Sequence, residues 1–192
     1  LKALNKFNEA LETFNKVLAS NRTYFPALCG KCEVLCSLNQ FDDALEAANA
    51  ALEVEPNNPV GYDDRAFVYL KLKKFQLAID DYIKFEEDCS KIQNAEKKRL
   101  LTIAMTYRGH ELGREGKIGE AIQMFKDVLK FAPNEDRRFA LAVLLYKDEK
   151  RDEAEIEFKA VLKANDNHLK SCAALGTILC EKGQYTEATT LL

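Results

Sequence analysis

The sequence predicts an all-α fold, a solenoid in which copies of one antiparallel helix pair stack in series. Three observations carry this. Alanine recurs at Ala10, Ala44, Ala78, Ala121, Ala154 and Ala188, with gaps of 34, 34, 43, 33 and 34 residues. Each lies in a similar setting: FNEAL, FDDAL, FQLAI, IGEAI, RDEAE, YTEAT. Eight glycines and four prolines in 192 residues leave little room for long loops. A fixed spacing of this size marks stacked supersecondary units, none of which buries its apolar face alone.

The elements follow in order. Phe7, Ala10, Leu11, Phe14 and Val17 recur at helical spacing and read as a second helix whose partner is mostly missing, in a partial unit over 1–22. In the unit 25–58, Leu28, Cys32, Leu35 and Leu38 mark a first helix. Asn39 and Gln40 break it, and Ala44, Leu45, Ala48, Ala51 and Leu52 mark a second. Pro56 and Asn57-Asn58-Pro59 end that helix, because proline cannot continue it and asparagine favours turns. The unit 59–93 repeats the pattern with Tyr62, Ala66, Tyr69 and Leu72, then Phe75, Ala78, Ile79, Tyr82 and Phe85. The units 102–133 and 134–167 follow on Met105, Gly109, Leu112, Ala121 and Phe125, and on Leu141, Ala142, Leu145, Ala154 and Phe158. An incomplete unit over 169–192 closes the chain. Four complete units thus stand between two partial ones, in one array.

Small residues have a mechanical role in this reading. Ala66, Gly109, Ala142 and Gly176 on first helices, and the periodic alanines on second helices, let helices cross closely. Tyr82, Phe125 and Phe158 fill the space beside them.

The residues at these positions resemble the tetratricopeptide-repeat family, whose 34-residue pattern runs W-x2-L-G-x2-Y…A-x3-F…P. Met105-x3-Gly109-x2-Leu112…Ala121-x3-Phe125…Pro133 is similar. So are Tyr62-x3-Ala66-x2-Tyr69…Ala78-x3-Tyr82 and Cys172-x2-Leu175-Gly176-x2-Leu179…Ala188. The resemblance covers nearly the whole chain and implies a right-handed superhelix. The unit 134–167 departs most: Arg138 stands where a bulky apolar residue is usual and Arg151 where an aromatic is usual. Looser packing or a shorter first helix is expected there.

The 43-residue gap places nine extra residues between Phe85 and Thr102, with the insert running to about residue 101. The segment lacks glycine and proline and is rich in helix formers, which predicts extended helices around a turn near Ser90 to Asn94.

Composition narrows the function. A net charge of −3 offers nothing to a phosphate backbone, so no nucleic-acid partner is expected. No stretch approaches the ~20 apolar residues of a membrane span, so no membrane insertion is expected. Cys29, Cys32, Cys36, Cys89, Cys172 and Cys180 lie inside helical patterns, which points to free thiols in a reducing, cytoplasmic compartment.

Cys29, Cys32 and Cys36 share one helical face, but a thiolate metal site wants a fourth ligand and none is near in sequence. They read as small core hydrophobes. His110 and His168 lack clustered partners, and neither G-x-x-x-x-G-K-[ST] nor G-x-G-x-x-G occurs. No catalytic residue, cofactor or metal is expected, and the chain reads as a non-enzyme.

The resemblance implies that first helices line a concave groove for a peptide or partner helix. By position this surface holds Cys29, Gly30, Glu33, Asp63, Asp64 and Phe67. Further along it holds Tyr107, His110, Arg114, Phe139, Val143, Tyr146, Lys147, Lys170 and Thr177. Phe67 and Tyr107 are the strongest candidates for apolar anchors. The family's chaperone adaptors fix C-terminal carboxylates of Hsp70 or Hsp90 with Lys, Asn and Arg. The matching places here hold Cys29, Glu33, Asp64, Ile103 and Tyr107, and acidic groups repel a carboxylate. The asparagine ladder of O-GlcNAc transferase has Gly30, Asp64, Tyr107, Ala140 and Ala174 in its places.

The expected role is a protein-interaction scaffold or adaptor that takes a protein or peptide ligand, in a multiprotein complex. One alternative is a regulatory or substrate-recruiting segment of a larger enzyme or co-chaperone. Another is a structural subunit that polymerises through its repeat ends.

Overall fold

The computed structural model describes residues 2–86 and 89–190, with the backbone alone for Lys2, Ala3 and Ser90. The readings at Leu1, in the insert at Glu87 and Asp88, and at Leu191 and Leu192 lie outside the described residues. The described chain holds eleven α-helices, one 3-10 turn and no strand. It divides into two compact units, Leu1–Ala104 and Met105–Leu192.

In the first unit, α1 (Lys2–Ser20) packs on α2 (Phe25–Ser37), α2 on α3 (Phe41–Val54), α3 on α4 (Pro59–Lys71) and α4 on α5 (Phe75–Tyr82). The two first helices α2 and α4 also touch. A 3-10 turn at Cys89–Lys91 precedes α6 (Ala95–Arg114), of which Ala95–Ala104 belong to this unit. In the second unit, α7 (Ile118–Phe131) packs on α8 (Glu135–Lys147), α8 on α9 (Arg151–Ala164), α9 on α10 (Leu169–Glu181) and α10 on α11 (Tyr185–Thr190).

The small residues sit where the periodicity puts them. Ala44, Ala66, Ala78, Ala121, Ala142 and Ala154 are 0 % exposed. Tyr82, Phe125 and Phe158 are 1 % exposed or less beside them. Gly109 serves a close approach, since a Cβ there would lie 2.8 Å from the Phe125 ring. Gly176 does not: a Cβ would meet nothing within 4 Å.

A second periodicity was not legible in the alanines. The second residue after each first helix adopts a left-handed backbone: Asn39, Lys73, Gly116, Glu149 and Gly183, with φ of 60°, 58°, 80°, 62° and 75°. The next backbone N–H folds back onto the helix each time. Gln40 donates to Leu35 O, Lys74 to Tyr69 O, Lys117 to Leu112 O, Lys150 to Leu145 O and Gln184 to Leu179 O, at 2.8–3.0 Å. These are Schellman turns, which satisfy the last carbonyls of a helix and reverse the chain. Starts recur too. Asn58 Oδ1 accepts from Val60 N, Asn134 Oδ1 from Asp136 N and Arg137 N, and His168 Nδ1 from Ser171 N. His168 is therefore a helix cap, with its ring against Phe139 at 4.9 Å between centroids.

Two expectations are corrected. The unit with Arg138 and Arg151 has neither a short first helix nor a loose one. α8 has 13 residues, as do α2, α4 and α10, and Leu141, Ala142, Leu144 and Leu145 are buried. Arginine replaces the expected apolar groups by pairing. Arg138 Nη1 meets Glu157 Oε2 at 2.7 Å. Arg151 stacks on the Tyr146 ring at 4.4 Å, bonds Tyr146 O at 2.7 Å and pairs with Glu181 at 3.0 Å.

The insert lengthens one side only. α6 has 20 residues, but α5 stops after 8, against 14 in α3, α7 and α9. Beyond Tyr82 the chain turns, with Lys84 N donating to Asp81 O and Glu86 N to Ile83 O. Asn94 then starts α6, its Oδ1 accepting from Lys97 N at 3.0 Å.

Candidate functional site

Each unit carries a cavity on its first-helix face. In the first unit an open cavity of about 290 Å³ lies between α2, α4 and the start of α6, with Tyr82 of α5 in its lining. α2 supplies Cys32, Glu33 and Cys36; α4 supplies Asp63, Asp64 and Phe67; the insert and α6 supply Asn94, Glu96, Lys97 and Leu100. The helical spacing of 3–4 residues brings each set to one face.

This cavity is acidic. Lys97, its side chain only 10 % exposed, bridges Asp63 Oδ1 at 2.9 Å and Glu86 Oε1 at 3.1 Å. Glu96 is bound to Arg99 through two bonds of 2.8 and 2.6 Å. Asp64 has no cation among the described residues. Its Oδ2 is buried without a hydrogen-bond partner. Burial, then the charges of Glu33 and Asp63, push the Asp64 carboxyl up to about 6. Burial likewise raises Asp63, against the pull of Lys97. The Cys29 thiol is pushed up to about 12 by burial and by Asp64. The Tyr82 hydroxyl, on a side chain 1 % exposed, has no hydrogen-bond partner either.

Beneath the cavity a polar anchor ties α3, α4 and α5 together. Arg65 Nε and Nη2 meet both oxygens of Asp81 at 2.7 and 2.9 Å, and Nη1 meets Asn49 Oδ1 at 3.2 Å. The guanidinium lies over Tyr62 and Tyr69, at 5.3 and 5.7 Å from the ring centroids.

In the second unit a groove of about 380 Å³ lies between α6 and α8, lined by Gly109, His110, Gly113 and Arg114 on one side. Asp136, Phe139, Ala140, Val143, Leu144 and Lys147 line the other. This groove is basic, with Arg114 and Lys147 against Asp136. His110 packs edge-on to Phe125 at 5.1 Å, and burial and the Arg114 charge hold its imidazole below the usual range.

The expected site residues distribute unevenly. Glu33, Asp63, Asp64 and Phe67 line the first cavity; His110, Arg114, Phe139, Val143 and Lys147 line the second groove. Cys29 is core, and a Cβ on Gly30 would fall on the Phe14 ring. Tyr107, 53 % exposed, is outside the lining of the second groove. Tyr146 is turned to Arg151 and gives its hydroxyl to Glu181 at 2.6 Å. Lys170 is exposed, and the Thr177 hydroxyl bonds Ala173 O. Sequence reasoning missed Tyr82, Asn94, Glu96, Lys97 and Leu100. Tyr82 was read as filler, and the others come from the insert, where no repeat register applies. The usable signal was Lys97 itself, a cation placed among helix formers opposite the Asp63-Asp64 pair.

All six cysteines are free thiols, and Cys29, Cys32 and Cys36 are packed in the first unit's core. Among the described residues no group of three or more His, Cys, Asp and Glu is placed to hold a metal ion. No described helix is long and apolar enough to cross a membrane.

Residues 1–63 match the family model described as tetratricopeptide repeat. DnaJ homolog subfamily C member 3 of Bos taurus is 35 % identical over 116 residues, 60 % of this chain and 21 % of that protein. The Homo sapiens protein of the same name is 34 % identical over the same shares. The matched stretch thus spans about a fifth of these relatives' length. Among solved structures, YrrB, titled a TPR protein with an unusual peptide-binding site, has a TM-score of 0.59 at 19 % identity. It covers 94 % of this chain and 89 % of its own. MamA has a TM-score of 0.56 at 17 % identity, over 88 % and 94 %. At these identities the likeness is one of fold. Sequence match, paired helices, periodic alanines and recurring turns agree: residues 1–63 carry tetratricopeptide-repeat sequence, and the described chain has the all-α solenoid fold of tetratricopeptide-repeat proteins.

Proposed function

We propose that this chain is a non-catalytic scaffold that binds a polypeptide segment along its first-helix face, as part of a larger complex. A protein-interaction role in general follows from the repeat family. The finer reading is supported chiefly by one observation: one cavity in each unit is walled almost wholly by first helices, α2, α4 and α6 in one, α6 and α8 in the other, although a further cavity of about 490 Å³ lies between α1, α2 and α3. Such a surface is preformed by the packing of second helices behind it, so a partner loses less freedom on docking. Apolar anchors beside charge suit a peptide with one buried residue and polar flanks. The acids in the first cavity argue against capture of a C-terminal carboxylate there. A net charge of −3 supports a role without nucleic acid, and six free thiols support a cytoplasmic, reducing setting.

The test is selection of random peptides displayed on phage against the full chain. Selected peptides should lose binding to Phe67→Ala or Lys147→Glu and keep it with Ile156→Ser, a change on the second-helix face where Ile156 is 64 % exposed. The opposite pattern sinks the groove reading.

A second reading, a recruiting segment of a larger protein, is favoured by the match to about a fifth of DnaJ homolog subfamily C member 3. It uses the same surface.

A further inference from the structure

We propose that the cavity of the first unit is a pocket for a lysine side chain of the bound polypeptide, with Asp64, Glu33 and the Tyr82 hydroxyl as acceptors for its ammonium group. This rests on the first-helix face being the binding surface and goes beyond it by naming what that face takes in the first unit.

Four observations converge. The cavity holds more acid than base: Glu33, Asp63, Asp64 and Glu96 line it against Lys97 alone. Internal ion pairs absorb part of that charge, Lys97 going to Asp63 and Glu86, and Arg99 to Glu96. Asp64 and Glu33 are left with no ion pair among the described residues. Two buried polar atoms, Asp64 Oδ2 and Tyr82 Oη, have no partner. Unpaired buried acceptors weaken a fold unless something supplies donors. Tyr82 is 1 % exposed and lines this cavity, so its missing partner is not bulk water.

The remaining walls fit a methylene stem. Cys32, Cys36, Phe67 and Leu100 are apolar, and the Phe67 ring already carries a cation, Lys71 Nζ at 4.9 Å from its centroid. A volume of about 290 Å³ is ample for a lysine side chain. The acceptors favour ammonium over guanidinium. They are spread over two carboxylates and a phenol rather than set as one planar pair for a guanidinium fork. Among the described residues these acids do not form a group of three or more placed to hold a metal ion.

The experiment titrates the uniformly ¹⁵N-labelled full chain with Nα-acetyl-lysine methylamide and follows amide shifts. Arms with the norleucine, arginine and glutamate analogues and with butylammonium run in parallel. The expected result is saturable shifts at Cys32–Cys36 and Asp63–Phe67, with at least tenfold weaker binding of the norleucine and glutamate probes. Asp64→Asn should weaken the lysine probe at least tenfold without lowering the melting midpoint, a split that a merely structural role would not give. Glu33→Gln, on an exposed side chain, should weaken it about threefold and serves if Asp64→Asn misfolds. Equal binding of norleucine, tighter binding of arginine, shifts confined to the second unit, or an unchanged affinity in both variants overturns the proposal. Butylammonium binding as tightly as the lysine probe would make the occupant a free amine and overturn its polypeptide half. The two readings fail separately. Selected peptides that need Phe67 but show no lysine preference sink the pocket alone. Lysine-probe binding alongside peptides indifferent to Phe67 and Lys147 sinks the groove alone.

Discussion

The first unit presents an acidic cavity and the second a basic groove, although both are built from the same helices in the same register. Asp63, Asp64 and Glu33 wall the one, Arg114 and Lys147 the other. What the units share is the crossing alanines, the left-handed turn residue and the capped first helix. What they do not share is everything on the exposed side of the first helices. Packing constrains the crossing positions to a methyl group, and nothing in the fold constrains the groove positions, which are free to diverge.

The units also differ in how they use arginine, and this gives the largest expected effect. Arg65 is gripped by Asp81, which is 7 % exposed, while Arg151 pairs with Glu181 near the surface. Asp81→Ala leaves a guanidinium unpaired between two tyrosines and should cost about 3 kcal/mol in urea unfolding. Glu181→Ala should cost far less, because exposed pairs are weak and Arg151 keeps its stacking on Tyr146. Equal costs would erase the distinction between a buried anchor and a surface pair.

Next come the crossings. Ala121→Leu puts a branched side chain where exposure is 0 % and should lower stability by about 1–3 kcal/mol. Gly109→Ala drives a methyl onto Phe125, whose ring is 0 % exposed and held edge-on by His110, so the ring cannot swing aside. Its net loss should be about 1 kcal/mol after the gain in helix propensity. Gly176→Ala meets nothing and should gain about 0.5–1 kcal/mol. Melting midpoints moving in opposite directions for these two glycines would separate a crossing glycine from a merely tolerated one.

This pair marks how far the sequence could be read. The alanine period was enough for the fold class and for most helix bounds, because burying a crossing residue is a requirement repeated in every unit. It could not tell Gly109 from Gly176, since both occupy the small-residue place and only the neighbouring ring decides. The charged lining of both grooves was legible by position at Asp63, Asp64, Arg114 and Lys147. Tyr82, Asn94 and Lys97 were not, because one enters from a second helix and the others from the insert. Arg138 and Arg151 misled for a different reason: their partners, Glu157 and Glu181, lie on other helices.

Asp64 offers a pH-dependent contrast between the units. Its carboxyl is raised to about 6 from 3.8 by burial, so the folded chain binds that proton more tightly than the unfolded one. The associated stability is present in full below about pH 4 and is lost as pH rises through 6. Asp64→Asn removes the buried charge. It should stabilise the first unit by about 1 kcal/mol at pH 7.5, after discount for partial exposure, and by nothing measurable at pH 4. A gain that persists at pH 4, or a loss at pH 7.5, would show that this carboxylate stabilises the fold.

The smallest effect tests the turns. Gly116 and Gly183 adopt a left-handed backbone at no steric cost, whereas Lys73 in the first unit and Glu149 in the second hold φ of 58° and 62° with a Cβ. That conformation costs a non-glycine residue about 1 kcal/mol, of which glycine returns part through its greater freedom when unfolded. Lys73→Gly and Glu149→Gly should each raise stability by about 0.5 kcal/mol, read as a melting shift of a few degrees. Because the same turn, with its N–H bond back to Tyr69 or Leu145, recurs in both units, the two gains should match. A gain at Glu149 without one at Lys73 would mean that the lysine side chain has a compensating role in the first unit, and the shared frame would then be narrower than its periodicity suggests.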